Sequence, residues 1–127
     1  MSIQRHLSPD ELLVISTLLS ARPDTAHFLR VLDKLRVVEM QDGGMGSLLL
    51  VPSESVTGAR IFGKRIVSGE FKDSDGIPVV VSINIDRTDQ LFELDVWKVN
   101  FAPRLRWPKP SEISIHESEA GLEGRPT

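Results

Sequence analysis

The 127-residue sequence contains no cysteine. This excludes a disulfide framework, a thiolate nucleophile and any cysteine-based zinc site, and with them a disulfide-stapled secreted domain. Cytoplasmic residence is the simplest expectation. No apolar run approaches the roughly 20 residues needed to span a bilayer, and the opening MSIQRHLSPDE lacks the apolar stretch of a signal peptide. No membrane association is expected. Charge of one sign is also scarce: 15 basic against 18 acidic residues leave a net charge of −3, too small and of the wrong sign for a nucleic-acid partner. The three histidines, His6, His27 and His116, have none of the close spacing of a zinc site, so no metal or other cofactor is expected.

What is present is an ordinary globular composition, 40% hydrophobic and 26% charged, in a length suited to one core. Residues 1–110 carry 14 basic and 14 acidic side chains, whereas 111–127 set Arg125 against Glu112, Glu117, Glu119 and Glu123. Pro103, Pro108 and Pro110 precede that acidic stretch. The pattern predicts one domain over 1–105, followed over 106–127 by a Pro-rich exit and a mobile acidic tail.

Ser8-Pro9-Asp10-Glu11 combines a capping serine, a proline suited to the first helical position and a glutamate three residues after the cap. A helix over about 9–21 follows, with Leu12, Leu13, Ile15, Leu18 and Leu19 at helical spacing. The stripe Phe28, Leu29, Leu32, Leu35 predicts a second helix over about 25–34. Strands are expected at about 36–40 and 47–51, joined through Gln41-Asp42-Gly43-Gly44-Met45-Gly46. A three-strand meander over about 60–72, 77–85 and 91–101 turns at Asp73-Ser74-Asp75-Gly76 and at residues 86–90. The expected class is α+β, two N-terminal helices before a mainly antiparallel five-stranded sheet.

The glycine-rich DGGMGS stretch lacks the GxxxxGK[ST] pattern, and Leu49 stands where a dinucleotide fingerprint needs its third glycine. It reads as a turn. Asp73-Ser74-Asp75-Gly76 also reads as a turn, because Phe71 occupies a ligand position of a calcium loop and no closing glutamate follows. Arg104-Leu105-Arg106-Trp107-Pro108-Lys109 is too short a basic patch to carry a nucleic-acid footprint. The most unusual row is Glu93, Asp95, Trp97 and Val99 along one side of the last meander strand, with Glu70 on a neighbouring strand. Carboxylates around a large aromatic suit a protein-binding surface presented to a basic partner. A catalytic reading would instead pair His27 with Asp95 or Glu93 in a pocket between helices and sheet.

The segments MQDGGMGSL from Met40, FGKRI from Phe62, DSDGIPV from Asp73 and FELDVWKVNF from Phe92 resemble a small bacterial family of unknown function, over about Arg5 to Arg106. The resemblance implies an architecture and assigns no activity. In size, in the absence of catalytic signatures and in an acidic sheet face, the chain is also similar in type to immunity proteins of toxin systems. The expected function is therefore a non-catalytic binding protein that neutralises a basic toxin domain through Glu70, Glu93, Asp95 and Trp97. The alternatives are a small-molecule enzyme or carrier built around His27, and a structural homodimer.

Overall fold

A computed structural model describes residues 3–53 and 59–116. The Ser8 hydroxyl accepts the Glu11 N–H at 3.2 Å and the Glu11 carboxylate accepts the Ser8 N–H at 2.8 Å, so the capping box forms and starts helix α1, Pro9–Ser20. Its apolar stripe buries Val14, Ile15, Leu18 and Leu19. Glu11 is itself buried and takes a bidentate pair of bonds from Arg5, at 2.8 and 2.9 Å. That ion pair ties down strand β1, Arg5–His6, just before the helix.

The remaining strands are β2 Arg36–Glu39, β3 Leu48–Val51, β4 Phe62–Lys72, β5 Pro78–Asp86, β6 Leu91–Lys98 and β7 Ser114–Ile115. They form one sheet in the order β1-β2-β3-β6-β5-β4-β7, antiparallel at every ladder. The register puts Val37, Leu50, Leu48, Leu94, Ile83, Val81, Val96 and Val79 on one face, where α1 covers them. These residues and the helix stripe are the core.

The α+β composition stands, but two N-terminal helices ahead of five strands do not. Among the described residues the sheet has seven strands, because the two-residue strands β1 and β7 flank the others. Helical structure also does not simply precede the sheet: β1 comes before α1, and a 3₁₀ turn at Pro110–Glu112 lies between β6 and β7. The second expected helix, Ala26–Lys34, is 3₁₀ throughout. Thr25 leaves the segment without a side-chain cap. Its hydroxyl donates to the Leu19 carbonyl at 2.7 Å and the Arg22 carbonyl at 3.2 Å instead of capping the segment, so the first N–H groups have no side-chain acceptor.

Packing continues past residue 105. Trp107 and Ile113 lie against the core, and β7 pairs with Gly69 and Glu70 of β4. The rest of the expected acidic tail, 117–127, lies outside the described residues. Among the described residues no helix is long and apolar enough to cross a membrane.

Candidate functional site

The alternation of β6 buries Leu94, Val96 and Lys98 on the core face and sends Glu93, Asp95 and Trp97 to the opposite face. Cross-strand pairing extends that second face into three rows: Glu93 beside Asn84, Asp95 beside Ser82 and Ser68, Trp97 beside Val80 and Glu70. All four residues anticipated from sequence are therefore on one surface, each half-buried. The Asn84 amide donates to Glu93 Oε1 at 3.2 Å, and the Ser68 and Ser82 hydroxyls meet at 3.0 Å. Glu70 Oε1 lies 3.3 Å from His116 Nε2, brought there by β7.

Trp97 does not stand alone. The Phe101 ring lies 6.1 Å from its indole at an interplanar angle of 58°. Phe101 is 71% exposed, and its φ of 63° is in the left-handed region. Each property is unfavourable for phenylalanine, since the conformation costs about 1–2 kcal/mol and the ring gains little burial. Sequence reasoning placed Phe101 at the end of a strand and missed it as a site residue. Its spacing four residues beyond Trp97, just before Pro103, was the available signal.

The turn that presents Phe101 is held from the core side by Lys98. This lysine is 1% exposed, with its ammonium 2.9 Å from Asp73 Oδ2 and 2.7 Å from Asp75 Oδ2. Burial lowers its pKa, but the two carboxylates more than offset that and hold it above the ordinary range. Burial likewise raises Asp73, yet the Leu105 N–H at 2.8 Å and Lys98 keep it below the usual carboxylate value. Asp75 is lowered mainly by its hydrogen bond from Lys98. In the Asp73-Ser74-Asp75-Gly76 turn, two carboxylates that could have faced a cation are thus turned onto an internal ammonium.

The glycine-rich loop is closed in the same manner. The Asp42 carboxylate accepts N–H groups from Met45, Gly46 and Ser47, at 3.2, 3.4 and 2.8 Å. Burial raises Asp42, and these donors bring it below its ordinary value. Beside the loop lies a cleft of about 480 Å³ lined by Arg5, Glu39, Asp42, Gly46 and Arg104. A second cleft of about 310 Å³ holds His27, Phe28, Lys64 and Asp89. Glu93 and Asp95 line neither, so the structure does not bring His27 together with those carboxylates. Among the described residues, no group of three or more histidine, aspartate or glutamate side chains is placed to hold a metal ion.

A family model described as a domain of unknown function, DUF6984, matches residues 4–108. The chain belongs to this family. No curated protein and no solved structure matches it. The DUF6984 span includes Glu70, Glu93, Asp95, Trp97, Phe101 and Lys98, and therefore the acidic and aromatic face together with the buried lysine that supports it. It stops before Ile113, β7 and His116, so Glu70 meets its histidine partner from outside the matched span.

Proposed function

We propose that the chain is a non-catalytic binding protein that docks a basic protein surface on the sheet face opposite the core, through the half-buried side chains Glu70, Glu93, Asp95 and Trp97 and the exposed Phe101. The observation that carries this reading is Phe101, held exposed and left-handed beside Trp97 at the end of a face bearing Glu70, Glu93 and Asp95. An aromatic kept out of the core at a conformational cost is selected for something other than folding. An aromatic pair at one end of a face that also carries carboxylates has the make-up of an interface anchor with acidic groups that steer a cationic partner. A toxin domain that holds nucleic acid must itself be basic, and neutralising such a domain is the specific form of the proposal.

Phe101→Gly is the sharpest test because its two effects have opposite signs. Glycine takes φ 63° without strain, so the free chain should hold its stability or gain roughly 0.5–1 kcal/mol. The complex should lose about 2 kcal/mol or more, a thirtyfold fall in affinity. Parallel affinity purifications from the native host, with wild-type and Phe101→Gly baits, should enrich a basic protein with the first and lose it with the second. The same partner held equally by both baits would remove this face as the interface.

A further inference from the structure

Arg104 is held by backbone and ring contacts in place of a carboxylate. Arg5, Arg22, Arg60 and Arg106 each lie against a carboxylate, at 2.8 to 3.1 Å. Arg104 is half-buried, and among the described residues no carboxylate comes within ion-pair distance of it. Its position is nevertheless fixed on three sides. The backbone N–H donates to the Gly44 carbonyl at 3.2 Å, Nε donates to the Met45 carbonyl at 3.0 Å, and the guanidinium lies 3.6 Å over the Trp107 ring. The fourth side requires glycine. Gly46 has φ +110°, and a Cβ there would come within 3.0 and 3.1 Å of Arg104 Nε and Nη2 and 3.3 Å of Trp107.

A guanidinium so layered has lost most of its rotamer freedom before any ligand arrives, while among the described residues its two NH2 groups make no hydrogen bond. Arg104 lines the 480 Å³ cleft, a volume in the range of small-ligand sites. From this geometry we infer that the cleft binds a small monocarboxylate, its two oxygens accepting the Arg104 fork. The charges around it select the class. The lining carries three carboxylates, Glu11, Glu39 and Asp42, against Arg5 and Arg104, so every added negative charge on a ligand is penalised and a doubly charged phosphate meets more repulsion than a single carboxylate seated on the Arg104 fork. The cleft shares no residue with the Trp97 face, so failure here leaves the proposed interface standing.

The test is an NMR titration of the ¹⁵N-labelled full chain with sodium acetate, glycine and sodium phosphate at constant ionic strength. Saturable shifts of the Gly44, Met45 and Gly46 amides and of Arg104 Nε–H are expected with acetate or glycine. Phosphate should bind more weakly. Arg104→Lys should weaken carboxylate binding at least tenfold, since an ammonium cannot offer the planar fork. Glu39→Gln, at an exposed position on the rim, should strengthen it severalfold by removing a like charge, and this variant serves if Arg104→Lys does not fold. Linear, non-saturating shifts with both carboxylates, tighter binding of phosphate, saturation undiminished by Arg104→Lys, or affinity unmoved by Glu39→Gln would each overturn the assignment.

Discussion

Asp86 closes β5 and gathers the sheet end around one carboxylate, which makes its protonation a quantitative probe. Oδ1 accepts the Thr88 N–H at 2.8 Å, the Thr88 hydroxyl at 2.6 Å and the Gln90 N–H at 3.1 Å, while Oδ2 takes Arg60 Nε at 2.9 Å. Burial works against the charged form. These donors outweigh it and bring the pKa from 3.8 to about 2. That difference corresponds to about 2 kcal/mol of stability carried by the ionised form. The unfolded chain takes up the proton near the ordinary value, whereas the folded chain resists until about pH 2. The contribution is therefore complete above about pH 4 and disappears as the pH falls through that window to about 2. Asp86→Asn removes it and leaves the Arg60 guanidinium facing an amide, for a loss of about 3 kcal/mol at pH 7. Urea titrations followed by circular dichroism should show a lowered midpoint at an unchanged slope. Glu11, Asp42 and Asp73 also titrate low, so the readout is the difference between wild type and variant at each pH. It should shrink by about 2 kcal/mol between pH 5 and pH 2. A difference that stays constant over that range would refute the assignment of the low pKa to Asp86.

Gly63→Ala should destabilise the fold by about 1–3 kcal/mol in the same assay, because a Cβ there would stand 2.5 Å from the Asp86 carbonyl oxygen and the β4–β5 ladder would have to open. Truncation after Lys109 removes Ile113 and β7, and the lost burial and strand pairing should lower the melting temperature by roughly 10 °C in a calorimetric scan. An unmoved melting temperature would place the domain boundary near 105 after all.

The parts of the fold that were legible in the sequence are those whose signal is local. The Ser8 to Glu11 capping box, the alternation of β5 and β6 and the glycine turns at Gly43, Gly44 and Gly76 all act within a few residues. What escaped depends on distant partners. β1 is two residues long and exists because Arg5 reaches Glu11 and pairs with Val37, while β7 exists because β4 offers an edge. At 26–34 the Thr25 hydroxyl turns back toward Leu19 and leaves the 3₁₀ segment uncapped, a contact six residues away. For the candidate site, a period of two was enough to put Glu93, Asp95 and Trp97 on one face. The exposure and left-handed backbone of Phe101 are set by the Lys98 carbonyl, which accepts its N–H at 2.8 Å, and by the buried charges beneath. No alternation pattern encodes those.

Both rims of this sheet are hemmed. At one side the last strand is only the two residues of β1. At the other, β4 is eleven residues long, but register shifts interrupt it between Phe62 and Lys64 and between Arg65 and Val67, and β7 is sewn over Gly69 and Glu70. Among the described residues, a foreign strand arriving at either rim finds only short or bulged rows of free backbone donors and acceptors to copy. Recognition by main-chain pairing, indifferent to side chains, is thereby discouraged. A contact made on the broad face would instead be read side chain by side chain, which would make it sensitive to which partner arrives.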